Sequence, residues 1–233
     1  MDKLIRLDKF LSSQLNISRT DAKKLIAKKR ISFSSSKPVR PETQIDTCSE
    51  TVFFDGKEIN FKKFLYIAQN KPAGVVSASN DDSLTVIDIL PENLKRQGLF
   101  PAGRLDKDST GFVLITDDGE FAHNILSPSK HIEKTYIITL LRNVTERETL
   151  EVTEGMVLGD EKLKPAKLKK LEDKTYEITL TQGRYHQIKR MFGSFDNPVQ
   201  TLHRIKIGSL LLPPELSPGE SRELTSEEIK LIK

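Results

Sequence analysis

Apolar positions recur along this chain in short runs whose period changes from one stretch to the next. Leu7, Phe10, Leu11 and Leu15 share one face of a helix over residues 7–15. Ser18-Arg19-Thr20-Asp21 predicts a capping box opening a second helix, in which Ala22, Leu25 and Ile26 bury while Lys23, Lys24, Lys28 and Lys29 stay in water. Ile31 with Phe33, and later Val52 with Phe54, alternate as strands do, so the first 60 residues read as a small α+β module. Asp55-Gly56 is a turn signal and Lys62-Lys63 a charged break, which places a linker near residues 56–63. From Phe64 the pattern predicts strands over 64–69, 74–78, 112–116, 135–140, 176–180 and 201–207. Helical stretches interleave at 85–90, 119–127, 145–154, 185–195 and 225–232, the last opened by Thr225-Ser226-Glu227-Glu228. Tyr176, Ile178 and Leu180 alternate cleanly. An order this irregular predicts a mainly antiparallel sheet with helices packed on it, not a repeated βαβ winding. The division is thus 1–60 and 61–233, and the class is α+β.

Composition narrows the setting. With 36% hydrophobic and 30% charged residues among 233, the chain reads as a soluble globular protein. Its single cysteine, Cys48, allows no internal disulfide and suits a reducing compartment. No apolar run approaches the roughly 20 residues of a membrane span, and Met1-Asp2-Lys3 leads into an amphipathic pattern, not the apolar stretch of a signal peptide. A cytoplasmic protein without membrane association is expected. The net charge of +4 is unevenly placed: residues 1–40 hold eleven Lys and Arg against three Asp and Glu, leaving the remainder near −4. A folded segment with that bias suits a polyanion, because each neutralised phosphate releases counterions.

One stretch concentrates chemistry. Gly103-Arg104-Leu105-Asp106-Lys107-Asp108-Ser109-Thr110-Gly111 packs two carboxylates, two cations and two hydroxyls between glycines, directly before the apolar run Phe112 to Ile115. Charges held at the mouth of a buried strand are costly unless they pair or meet a ligand. Spacing alone leaves both a solvated surface turn and a reactive site open, and does not choose between Asp106 and Asp108. The string resembles the catalytic motif of pseudouridine synthases of the RsuA/RluA type. Asn70-Lys71-Pro72-Ala73-Gly74 resembles that family's first motif and Glu133-Lys134-Thr135-Tyr136 its lysine-tyrosine motif. Gly183-Arg184-Tyr185-His186-Gln187-Ile188-Lys189-Arg190-Met191-Phe192 resembles its third, and the four stand in the family's order. With Leu202-His203-Arg204, Ile207-Gly208 and Pro218-Gly219-Glu220, the likeness covers nearly all of 64–233 and is closest to the branch acting on 16S ribosomal RNA. Arg6-Leu7-Asp8-Lys9-Phe10-Leu11 and Ser18-Arg19 resemble an S4 RNA-binding domain. Where such domains turn through Asn-Gly, this chain has Ser34-Ser35-Ser36-Lys37-Pro38.

The resemblance implies a cofactor-free, metal-free isomerase, monomeric, whose partner is 16S ribosomal RNA in a small-subunit assembly intermediate, with uridine 516 as the target. It assigns Asp106 as the catalytic carboxylate; Asp108 is then a turn residue bonding nearby backbone. A lone carboxylate withdrawn from water is driven to protonate, so a cation within about 4–6 Å is required. Lys189 matches the family's basic residue and Arg190 is its neighbour; about 100° apart on a helix, only one of them can face the site. Tyr136 would stack on the flipped base, Ile188 would form an apolar wall, and Arg104 would enter the gap left by the base or clamp phosphate. Arg6, Lys9, Arg19, Lys23, Lys24, Lys28, Arg184, His186 and Arg190 are the RNA-contact candidates. Other chemistries are poorly supplied: there is no zinc-ligand spacing, Walker A string or G-x-S-x-G elbow. A glycosidase would need a second carboxylate across the sugar, where Asp108 does not sit. Two rival readings remain: a synthase acting on large-subunit RNA, whose family members share all four motifs, and a non-catalytic ribosome-assembly RNA-binding protein.

Overall fold

The computed structural model describes residues 4–35 and 37–232; the Met1-Asp2-Lys3 start and Ser36 of the serine turn lie outside them. The chain divides into two compact units, one running to Phe64 and including Lys95–Gly98, the other formed by Leu65–Leu94 and Leu99 onward.

The first unit begins with β1 (Leu4–Arg6), α1 (Leu7–Gln14) and α2 (Arg19–Ala27), and continues with β2 (Ile31–Phe33), β3 (Gln44–Asp46), β4 (Val52–Phe54) and β5 (Lys57–Ile59). β1 pairs with β3, and β2-β4-β5 form a three-stranded antiparallel sheet. Leu7, Phe10, Leu11, Ala22, Ile26, Ile31, Ile45 and Val52 bury together, while Leu25 is only half-buried against them. The Ser18 hydroxyl caps α2, accepting from the Asp21 N–H at 3.0 Å and donating to the Asp21 carboxylate at 2.6 Å. The expected linker over 56–63 is corrected. Asp55 and Gly56 both take positive φ, +48° and +77°, the pair of left-handed residues that closes a tight hairpin, so the chain returns as β5. Beyond it, the Lys62 N–H donates to Gln14 Oε1 at 2.9 Å, so the chain is still tied to α1 there.

The second unit is built on one sheet. Its elements are β6 (Tyr66–Lys71), β7 (Phe100–Pro101), β8 (Thr110–Thr116), α3 (Gly119–Leu126), β9 (Lys134–Leu140), α4 (Glu146–Glu154), β10 (Val157–Leu158) and β11 (Glu161–Lys162). β12 (Lys167–Glu172), β13 (Thr175–Leu180), α5 (Gln187–Gly193), β14 (Val199–Ile207), β15 (Leu210–Leu211), β16 (Ser221–Glu223) and α6 (Ser226–Lys230) follow. The strand order is β12-β13-β9-β14-β8-β6-β16, with β15 added to β14 and β7 to β8. Its pairs are antiparallel except β14 with β8, which run parallel over His203↔Thr110 and Arg204↔Gly111. Only glycine fits at 111: its φ is +99°, and a Cβ there would collide with the Arg204 backbone. Three apolar clusters pack on the sheet, one of which holds Ile138, Ile178, Ile188, Met191 and Phe192. A second is centred on Phe112, Leu114, Ile125 and Ile207. The third contains Ile67, Leu105, Val113 and Ile115.

Two sequence expectations fail here. Residues 85–90 form turns, because Thr85 and Asp88 engage their polar groups with each other: the Thr85 N–H and hydroxyl donate to Asp88 Oδ2 at 2.8 and 2.7 Å. The strand expected over 74–78 contributes only the isolated Val76↔Thr85 bridge.

Candidate active site

Asp106 stands in the loop between β7 and β8, and the loop is held from beneath. Leu105 is buried in the third cluster, and its N–H donates to the Ser77 hydroxyl at 3.1 Å. The Gly74 N–H donates to the Lys107 carbonyl at 2.7 Å. Lys71, at the end of β6, has no exposed surface. Its ammonium donates to the carbonyls of Ser109, Pro72 and Lys107 at 2.6, 3.0 and 3.2 Å. Burial pushes this lysine down to about 8, against the pull of Asp108 and Asp106. Lys71 is a site residue that sequence reasoning left without a role, although it stands in the Asn70-Lys71-Pro72-Ala73-Gly74 string.

The other side of the site comes from α5. Gln187, Ile188, Met191 and Phe192 bury, which leaves Lys189 half-exposed and Arg190 in water. Lys189 Nζ reaches Asp106 Oδ2 at 3.1 Å and both oxygens of Asp108, at 2.6 and 2.8 Å. Of the two neighbouring cations, the structure therefore brings Lys189 to the loop. Burial alone would lower the lysine, but hydrogen bonds to both carboxylates overcome it and raise it. The Lys189 hydrogen bond holds Asp108 below the ordinary carboxylate range. Asp108, expected as a turn residue bonding nearby backbone, also binds a lysine from a distant helix. His186 completes the set, with Nε2 at 3.2 Å from Asp106 Oδ1. It precedes α5 with a left-handed backbone, φ 47° and ψ 36°, uncommon for a residue with a side chain. Asp106 thus has one donor-bearing group on each oxygen and keeps 27% of its side chain open.

Tyr136 lies in β9 opposite Ile178 and Arg204, half-buried against the first and third clusters. The Arg204 guanidinium carbon is 5.9 Å from the centre of its ring. Arg204 is 3% exposed; its Nε donates to the Phe112 carbonyl at 2.6 Å, while its Nη2 has no hydrogen-bond partner among the described residues. Ile188, expected as a wall, is 4% exposed and points into the first cluster. Arg104 is exposed. Arg184 is exposed and pairs with Glu161 at 2.7 Å. In the first unit, Lys9, Arg19, Lys23 and Lys28 are exposed. Lys24 pairs with Asp21 at 2.8 Å, and Arg6 with the buried Asp8 at 2.9 Å, so those two cations are partly neutralised within the chain. Among the described residues, no cluster of His, Cys, Asp and Glu is placed to hold a metal ion, and no helix is long and apolar enough to cross a membrane.

A carboxylate with an open side, a lysine on one oxygen and an imidazole on the other, with an aromatic residue two strands away in the same sheet, can attack or deprotonate a sugar while a base is held against a ring. The model of the RNA pseudouridylate synthase family matches residues 65–194, and the chain belongs to that family of RNA-modifying isomerases. Relatives include the ribosomal small subunit pseudouridine synthase A of Haemophilus influenzae, 40% identical over 98% of this chain and 100% of its own. The enzyme of the same name from Escherichia coli is also 40% identical, with 98% and 100% covered. A crystal structure of a pseudouridylate synthase, 39% identical, covers 98% of this chain and 100% of its own with a TM-score of 0.69.

Proposed function

We propose that this enzyme isomerises one uridine of small-subunit ribosomal RNA, uridine 516 of 16S RNA, to pseudouridine by drawing the base out of its stack onto Asp106. The observation that carries the reading is the half-open Asp106 carboxylate bridged to Lys189, within a chain about 40% identical along its length to small-subunit synthases. In the reaction the bond between ribose C1′ and N1 breaks, the base turns, and C5 joins C1′. The C5 proton leaves and N1 gains one, so no redox partner or energy source is needed. Asp106 acts on the sugar, as nucleophile at C1′ or base at C2′. Lys189 keeps it ionised, Tyr136 stacks on the extruded base, Ile188 backs the pocket, and Arg104 enters the vacated gap or holds phosphate. The first unit serves as an S4-like RNA-binding domain, its exposed Lys9, Arg19, Lys23 and Lys28 supplying phosphate contacts in the cytoplasm.

Incubation with RNA carrying tritium at uridine C5 tests the chemistry. Tritium release by the wild type, absent from Asp106→Ala, is expected; equal release from both overturns it. Mapping pseudouridine in cells lacking the protein identifies the target. Loss of a large-subunit site in place of the small-subunit one would transfer the assignment to large-subunit RNA.

A further inference from the structure

We propose that Tyr185, backed by His186, is a stacking platform for the base of a nucleotide adjoining the uridine presented to Asp106. The inference rests on the reading that the enzyme acts on RNA at Asp106, and it adds a specificity-determining surface to that site.

Tyr185 is 79% exposed, more than any other large apolar side chain among the described residues. Its ring is nevertheless placed. One face lies on the His186 imidazole, centroids 3.9 Å apart and planes 16° from parallel. With one face covered and most of the residue still in water, the opposite face is open. His186 is fixed in turn: its left-handed backbone sets its direction, and its Nε2 edge rests on Asp106 Oδ1 at 3.2 Å. The stack therefore begins at the reactive carboxylate and leads away from it. A base on the open face of Tyr185 would be the third ring of that stack. It belongs to a neighbour of the reacting nucleotide, since Tyr136 on β9 is reserved for the uridine itself. Arg190, close by in the chain, is exposed and adds positive potential, while Arg184 is paired with Glu161. Flat aromatic faces beside cations are how single-stranded nucleic acid is held, because every base offers a π-face. A tyrosine that merely shielded His186 would have no reason to discriminate between RNAs with and without a base at that position.

The test is a double-mutant cycle between protein and RNA. Wild type, Tyr185→Ala and Tyr185→Phe are titrated with a labelled hairpin RNA holding one loop uridine, and with copies made abasic at the 5′ or the 3′ neighbour. Tyr185→Ala is expected to weaken binding about ten- to a hundredfold, and Tyr185→Phe to leave it near wild type. Removing the base on one flank should cost wild type a similar factor and cost Tyr185→Ala almost nothing more. Losses that multiply at both flanks, or Tyr185→Ala binding as tightly as wild type, overturn the platform. Thermal unfolding of Tyr185→Ala should match wild type; Tyr185→Leu, which still covers His186 without a flat ring, carries the test if it does not. Tritium release from the same RNA is read in parallel. Coupling without release by wild type sinks the isomerase reading and keeps the platform, and release without coupling does the reverse.

Discussion

Lys189 serves two carboxylates, and they are not equivalent. Asp106 is 27% exposed and also touches His186, whereas Asp108 is 75% exposed and shares the lysine. Replacing Lys189 by Met should lower kcat about 10²–10³-fold, since the carboxylate loses its fixed cation. Asp108→Asn should cost under about tenfold, because a pair so open to water is weakly coupled; equal losses for Asp108→Asn and Asp106→Asn in the tritium assay would reverse the assignment. Lys71 makes a pH prediction. Lowered to about 8, it discharges as pH rises through that value and removes positive charge behind the loop, so kcat/KM should fall with a midpoint near 8. The sign for stability is opposite. Unfolded, the lysine keeps its proton to about 10.5, so between 8 and 10.5 the folded form binds fewer protons and gains stability as pH rises. Activity should therefore decline without a drop in Tm across pH 8–9; a parallel decline would implicate unfolding. At this scale the string around Asp106 stood out as a local pattern of charges and hydroxyls between glycines, but only the family resemblance chose Asp106 over Asp108. The choice of Lys189 over Arg190 was not, since it depends on which face of α5 meets the sheet. Nor was Lys71, whose importance lies in the Lys107 and Ser109 carbonyls, on a loop far along the chain.

Helix α4 shows how much an element can hang on one side chain. The Glu148 carboxylate accepts from the Thr145 N–H at 2.9 Å, closing a capping box, and from Arg142 at 2.6 and 3.0 Å. Arg142 also donates to the Phe195 carbonyl at 2.7 Å, tying the helix start to the segment after α5. Led by the Arg142 hydrogen bond, these contacts lower Glu148 to about 2. Its stabilising contribution is full above the unfolded value near 4.5 and is lost as pH falls from there to about 2. Arg142→Ala, which leaves the Glu148 carboxylate without its cation, should lower the urea midpoint at pH 7 and flatten the acid limb between pH 4.5 and 2. Legibility followed the strength of local patterning. Thr145 and Thr225 announce their helices through Glu three residues on, and both capping boxes form. Tyr176, Ile178 and Leu180 announce β13 by alternating. β12, reading Lys-Leu-Lys-Lys-Leu-Glu, does not: it is an outer strand, mostly in water, and its charges suit an edge that must not pair further.

Across the whole molecule, the excess of positive charge belongs to the first unit, and its role can be measured there. Converting Lys23 and Lys28 to Gln should lessen the slope of log affinity against log salt by about 0.7–0.9 for each phosphate no longer neutralised; an unchanged slope would mean that this face only keeps the protein in solution. The division into two units was visible in the change of pattern near Phe64, but the hairpin reaching β5 hid inside an apparent break. The parallel meeting of β8 and β14 could not be read at all, since its partners lie about ninety residues apart and nothing local marks them. That meeting joins β12-β13-β9-β14 to β8-β6-β16 through just two paired positions. Asp106 and Asp108 lie on the loop entering one group of strands, whereas Lys189 on α5 and His186 just before that helix lie beside the other. The contacts among these side chains are therefore also a clasp across a narrow mechanical joint. Exchanging both Asp106 and Asp108 for neutral residues unfastens that joint as well as removing charge, so such a variant should show faster amide exchange in β14 near Arg204 even with no RNA present.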